Sequence, residues 1–167
     1  MMGKIRFGIV GTSNIANIFL RAASRVKDFE LVAVYSRNLE KAREFGTLYG
    51  ASIFFDDLEQ MAKSKDIDAV YIASPNALHS KQTITCLKHK KHVLCEKSLA
   101  SNLKEVKSMI KTAKDNNVLL MEAMRITCVP NFKAVKENLY KIGKIRRFFG
   151  SYCQYSSRYD KYKNGII

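Results

Sequence analysis

At 167 residues, with 47% hydrophobic and 26% charged residues, 2 Pro and 8 Gly, the chain has a globular makeup and not a collagen-like, low-complexity or disordered one. It is long enough for one sizeable core and the opening of a second domain. Lys+Arg 29 against Asp+Glu 15 give a net charge of +14, which favours anionic partners without choosing among phosphates, acidic surfaces and nucleic acid.

The segment Met1-Met2-Gly3-Lys4-Ile5-Arg6-Phe7 leads straight into a strand pattern, and no apolar run approaches the roughly 18–20 residues that cross a bilayer. A cytoplasmic protein that does not enter membranes is expected. Ile5 to Val10 is a short apolar strand ending at Gly11, followed at helical spacing by Ile15, Phe19, Leu20, Ala23 and Val26. Leu31 to Tyr35 is the next buried strand, and Leu39, Ala42, Phe45 and Leu48 mark a helix that stops near Gly50. Ile53 to Phe55 reads as a short strand, and Leu58 with Met61 as a short helix.

Ile67 to Ala73 is apolar without alternation, as a strand covered on both faces should be, and Pro75 ends it. A helix over Ala77 to Lys88, a strand over His92 to Cys95, a helix over Leu103 to Ala113 capped by Ser101 or Asn102, and a strand over Val118 to Met121 complete the series. This alternation predicts an α/β fold, a doubly wound, mostly parallel sheet with helices on both faces joined by right-handed crossovers. After Met121 the pattern changes. Pro130 begins a helix carrying Phe132, Val135 and Leu139, Gly143 ends it, and Ile145 to Tyr155 reads as one long strand. The expected division is a cofactor domain over residues 1–124 and the start of a second α/β domain over 125–167, which one helix and one strand cannot complete.

Gly8-Ile9-Val10-Gly11-Thr12-Ser13-Asn14-Ile15-Ala16 stands where the first strand meets the first helix, the context that gives the dinucleotide fingerprint Gly-x-Gly-x-x-Gly/Ala its meaning. Gly11 permits the turn, Ala16 lets helix and strand approach, and the free amides of the helix start, from Thr12 through Ile15, suit a pyrophosphate. Ser13 replaces the middle glycine, so its hydroxyl either crowds the pyrophosphate or donates to it. A carboxylate at the end of the second strand would accept hydrogen bonds from the ribose of NAD. The strand ends instead in Tyr35-Ser36-Arg37, where a hydroxyl and a planar guanidinium suit a 2′-phosphate, so NADP is preferred over NAD. Read alone, Arg37 is a surface turn residue.

Cys86, Cys95, Cys128 and Cys153 have no CxxC spacing and are expected to stay reduced. His89 and His92 share an HxxH spacing, but Lys90 and Lys91 intervene and no carboxylate or thiolate completes a set, so no metal site is expected. The basic residues fall at helical spacing between apolar positions, without interleaved aromatics or a helix-turn-helix, zinc-finger or RNP pattern. Nucleic acid is therefore not an expected partner.

Three further segments carry a family likeness: Ala73-Ser74-Pro75-Asn76-Ala77-Leu78-His79, Lys91-His92-Val93-Leu94-Cys95-Glu96-Lys97 and Met121-Glu122-Ala123-Met124-Arg125. With the glycine turn they make the chain resemble the glucose-fructose oxidoreductase and inositol dehydrogenase (Gfo/Idh/MocA) family along essentially its whole length. The resemblance implies a Rossmann-type cofactor domain, a carboxy-terminal α/β domain with a large open sheet, and NAD(P)-dependent oxidation or reduction of sugars, polyols and related compounds. It implies that Lys97 sits beside the nicotinamide and the substrate hydroxyl, with Glu96 positioning lysine and cofactor. Ser98 stands where the family has proline. It further implies that Ser74, Pro75, Asn76 and His79 lie against the nicotinamide ribose and that Arg125 lies near the cofactor. The glycine-rich segment, Asp and His that family members carry in the second domain are absent after Ser156-Ser157-Arg158-Tyr159-Asp160, so the chain reads as truncated, its full-length form a homo-oligomer. The competing reading is an NADP(H)-binding or interaction module without catalytic competence.

Overall fold

The computed structural model describes residues 3–156 and 159–164. Ser157, Arg158 and the closing Gly165-Ile166-Ile167 noted in the sequence lie outside the described residues. Contacts divide the chain into two compact units, Met1–Arg125 and Ile126–Ile167.

The first unit alternates strand and helix: β1 (Ile5–Val10), α1 (Asn14–Ala23), β2 (Phe29–Tyr35), α2 (Leu39–Thr47), β3 (Ile53–Phe55), α3 (Leu58–Lys63), β4 (Ala69–Ile72), α4 (Asn76–Lys88), β5 (His92–Cys95), α5 (Leu103–Asn116) and β6 (Leu120–Glu122). The strands form one sheet in the order β3-β2-β1-β4-β5-β6, every pairing parallel. From β1 the chain winds outward to β3, then returns to the other side of β1 with β4 and winds outward again. Loops on either side of that reversal diverge, and in open α/β sheets the crevice they leave is where ligands bind.

Register decides which residues face the crevice. Val10 lies opposite Tyr35 on one side and Ile72 on the other, Ile72 opposite Cys95, and Cys95 opposite Glu122. Five strands therefore end level. The residues that follow them, Gly11, Ser36, Ala73, Glu96 and Ala123, lie along one edge of the sheet.

All four residues of β4 are buried, which accounts for its unbroken apolar run. Because side chains alternate along a strand, Val70 and Ile72 join Met61, Cys86, Leu87 and Val93 on one face, while Tyr71 and Ala73 join Ile9, Ala16, Leu20 and Val34 on the other. Burial pushes the Cys86 thiol up to about 12 and the Cys95 thiol up to about 11, so both are inert packing groups. Two polar ties fix the start of β4. Arg6 grips Asp68 through Nε at 3.0 Å and Nη2 at 2.7 Å, and Lys91 Nζ donates to Ser64 O at 2.5 Å and Ile67 O at 2.7 Å.

Helix starts follow the sequence signals. Asn38 accepts from Lys41 N, Asp57 from Glu59 N and Gln60 N, and Asn102, not Ser101, accepts from Glu105 N. Glu105 reaches back to the Ser101 amide instead. The paired histidines have separate tasks: His89 Nε2 lies 2.6 Å from Glu59 Oε1, and His92 Nδ1 accepts from the Leu119 amide.

In the second unit, α6 (Pro130–Asn138) starts on its proline as expected and passes into a single 3-10 turn, Leu139–Ile142, closed by Gly143 at φ 71°. The strand expected over Ile145 to Tyr155 does not form among the described residues; that stretch is without regular structure. A strand exists only when a neighbour takes its backbone hydrogen bonds, and no described residues provide one. A short helix, α7 (Tyr159–Lys163), follows. None of this unit's described side chains is buried.

Candidate dinucleotide site

The crevice at the winding reversal is lined by Val10 to Ser13 from the β1 turn, Tyr35 to Arg37 from the end of β2, Ala73 to Pro75 from the end of β4, and Leu78 and Gln82 from α4. Gly11 is required twice over. Its φ is +100°, and a Cβ there would stand 3.0 Å from Ala73 O and 3.3 Å from Ser74 N. The turn thus runs flush against the β4 loop, leaving room above it. Its amide is fixed by Tyr35 O at 3.0 Å, which ties the turn to the end of β2.

At the head of α1, Ser13 takes the N-cap position but makes no side-chain cap bond to the helix. Its hydroxyl donates sideways to Ala73 O at 3.1 Å. The hydroxyl is thus engaged with the β4 loop and not with the helix amides. The first-turn amides lack the usual side-chain acceptor, Asn14 and Ile15 are exposed, and the helix dipole favours an anion there.

At the far wall, the Ser36 amide donates to Phe55 O at 3.0 Å, and Ser36 Oγ accepts from the Asn38 amide at 3.4 Å. Arg37 is exposed, and among the described residues it has no ion-pair partner. A cation held at a crevice wall by a buried strand, with no internal carboxylate to neutralise it, is available to an external phosphate.

The remaining candidates divide. Ser74 and Pro75 line the crevice, and Ser74 Oγ bonds Gln82 Oε1. Asn76 opens α4 and is exposed. His79 differs from expectation: it is fully buried, with Nδ1 2.8 Å from Ser98 O and Nε2 2.9 Å from Ser74 O. A backbone carbonyl faces each ring nitrogen, so the imidazole sits between the β4 and β5 loops with neither nitrogen turned to the crevice.

Glu96 and Lys97 follow β5 directly. The Glu96 amide extends the ladder to Ile72 O at 2.9 Å, Tyr71 donates its hydroxyl to Glu96 Oε1 at 2.6 Å, and the Lys97 amide donates to Oε2 at 3.2 Å. Lys97 is exposed, and the peptide joining it to Ser98 is cis. Glu122 holds the next turn by accepting from the Leu99 amide at 2.9 Å. Arg125, the last residue of the first unit, is exposed and unpaired with any carboxylate among the described residues. No group of three or more His, Cys, Asp or Glu capable of holding a metal occurs among the described residues. No helix there is long and apolar enough to cross a membrane.

Sequence reasoning missed Tyr35, Leu78, Gln82, Tyr71 and Glu122. Leu78 and Gln82 share a face by their i, i+4 spacing, a signal that was present once Pro75 marked the helix start. Tyr71 and Glu122 had none, because their contacts span distant parts of the chain.

A family model described as an oxidoreductase family with an NAD-binding Rossmann fold matches residues 5–124. The chain is 55% identical over 163 residues, 98% of its length, to the scyllo-inositol 2-dehydrogenase (NADP(+)) IolU of Bacillus subtilis (strain 168), covering 50% of that protein. It is 50% identical over 161 residues, 96% of its length, to the uncharacterized oxidoreductase YgjR of Escherichia coli (strain K12), covering 49% of it. Among solved structures, KijD10, a 3-ketoreductase from Actinomadura kijaniata in complex with NADP and TDP-benzene, superposes with a TM-score of 0.79 at 28% identity, over 83% of this chain and 43% of that one. The chain spans about half the length of the curated relatives it matches. With its parallel sheet wound about β1 and its glycine turn set against the β4 loop, the chain belongs to the Gfo/Idh/MocA family of oxidoreductases.

Proposed function

We propose that the chain is the NADP(H)-binding part of an oxidoreductase that moves a hydride between nicotinamide and a sugar, a polyol or a related hydroxy or carbonyl compound. In this reading residues 1–124 are the cofactor domain, and residues 125–167 open a substrate domain. The observation that carries it is the crevice itself: an uncapped helix start behind a glycine turn at one wall, and Ser36 with an unpaired Arg37 at the other. That donor set is cationic and amide-rich, as a phosphorylated dinucleotide requires.

The amides of Asn14 and Ile15 take the pyrophosphate, Thr12 borders it, and Arg37 with Ser36 takes the 2′-phosphate. Asn76 and the Ser74–Pro75 backbone border the nicotinamide ribose, while His79 acts from behind by holding the two loops together. When bound, the nicotinamide accepts or gives the hydride. The Lys97 ammonium stabilises negative charge developing on the substrate oxygen and passes its proton, and Glu96 holds the lysine loop in place. Arg125 closes the cofactor end of the site. Support for NADP and a polyol also comes from the name of the 55% identical relative.

The test pairs binding with turnover. The chain should bind NADPH saturably, while reduction of NADP(+) by a panel of inositols and sugars is expected only once it is joined to the remaining half of the 55% identical relative, where Lys97→Ala should abolish turnover. NADPH binding with no turnover by the joined protein on any panel member favours the second reading, a binding module without catalysis, which the match to half of each relative's length also accommodates.

A further inference from the structure

Tyr71 is a buried tyrosine at the centre of the sheet whose hydroxyl leaves the core. It is 1% exposed, pairs with Leu94 across the β4–β5 ladder, and stacks on Phe19 of α1 at 3.9 Å between centroids with planes 16° apart. Since side chains repeat every second residue, Glu96 shares the face of Leu94 and is the diagonal neighbour of Tyr71. The phenol donates to Glu96 Oε1 at 2.6 Å. The other carboxylate oxygen accepts from the Lys97 amide at 3.2 Å, so the carboxyl plane is fixed from two sides, and only one of the two fixing groups is a side chain. Burial, and then the hydrogen bond to Glu96, hold the phenol well above its ordinary pKa, keeping it a donor throughout the working range. A plain packing role would be met by phenylalanine, with no need for a hydroxyl aimed at the edge where the loops gather.

We propose that Tyr71 is a positioning residue for Glu96, a strut from the rigid core that fixes the carboxylate orienting Lys97 and the nicotinamide end of the cofactor. The inference rests on the dinucleotide reading above. It gives the sheet centre a part in the site. The ring, clamped between Phe19 and the strands, cannot swing, so the Glu96 carboxylate inherits the rigidity of the core despite standing on a loop.

The experiment measures dissociation constants of NADPH and of 2′-phospho-ADP-ribose, which lacks nicotinamide, for the wild-type chain, Tyr71→Phe, Glu96→Gln and the double variant. Tyr71→Phe keeps the ring and its stack. Unchanged affinity for 2′-phospho-ADP-ribose, with an unchanged far-UV spectrum, reports that the fold and the adenine half of the crevice are intact. NADPH is expected to bind Tyr71→Phe roughly 3–10-fold more weakly, less than a direct hydrogen bond to a charged group would cost because Tyr71 acts through Glu96. The same Tyr71→Phe substitution should have no further effect once Glu96→Gln is present. NADPH affinity unchanged in either single variant overturns the proposal. So does an equal weakening of both ligands, or a Tyr71→Phe effect that persists beside Glu96→Gln. If the wild-type chain binds neither ligand, the dinucleotide reading itself falls; if it binds both and only the Tyr71 effects are missing, the strut alone falls.

Discussion

Replacing Gly11 with alanine tests whether the turn's geometry is as tight as the structure draws it. Two penalties combine. At φ +100° an alanine sits outside the regions open to L-residues, and its Cβ would stand 3.0 Å from Ala73 O, 3.2 Å from Ala73 C and 3.3 Å from Ser74 N. These are backbone atoms and cannot rotate away. Ala73 is 4% exposed, its amide is bonded to Val10 O at 2.9 Å, and its oxygen accepts from Ser13, so the β4 loop is anchored against retreat. Strain of ~1–3 kcal/mol from the dihedral, with an overpacking cost of similar size, gives an expected loss of about 3 kcal/mol. For a unit of this size that lowers the melting temperature by roughly 10 °C. Urea unfolding followed by circular dichroism measures the loss, and NADPH affinity should fall in parallel because the turn must swell into the phosphate space. A stability change below ~0.5 kcal/mol, with NADPH affinity untouched, would refute the argument.

Arg37→Glu should weaken NADPH ~10–100-fold, as expected for loss of a charge-assisted phosphate contact, while leaving NADH nearly unaffected; nicotinamide fluorescence titrations with both cofactors check it. Lys91→Met strands the carbonyls of Ser64 and Ile67 that Lys91 now serves at 2.5 and 2.7 Å, and should cost ~1–3 kcal/mol in urea unfolding. The Arg6 hydrogen bond holds the Asp68 carboxyl below its ordinary pKa against the opposing pull of burial. The unfolded chain therefore takes up its proton first on acidification. The stabilisation is complete above the unfolded value near ~3.9 and lost as pH falls through the lower folded value. Both partners are 39% exposed, so the effect is at most about 1 kcal/mol, and Arg6→Met should flatten that part of the melting-temperature profile.

The architecture was legible because its determinants are local. Strand periods, the cap at Asn102, and breaks at Gly11, Pro75 and Gly143 all operate within a few residues of their effect. The crevice was legible at Gly11 and Arg37 for the same reason. Elsewhere the signal was not local. α4 buries His79, Gln82 and Thr83 with Cys86 and Leu87; His79 read as a ribose neighbour from its place after Pro75, but its ring nitrogens face carbonyls of Ser74 and Ser98, and Gln82 lines the crevice wall. Tyr71 lies in an apolar run where any large residue reads as core, and only the pairing of β4 with β5 brings its hydroxyl to Glu96. Ile145 to Tyr155 illustrates the converse. Its aromatic and apolar residues supply strand propensity but no partner, and strand formation is decided by the partner.

The most direct test of the central claim is a fluorescence titration of the chain with NADPH and, separately, with NADH. Saturable NADPH binding at least ~10-fold tighter than NADH is expected if the α1 amides hold the pyrophosphate and Arg37 with Ser36 holds the 2′-phosphate. Binding of neither, or a preference for NADH, would contradict it.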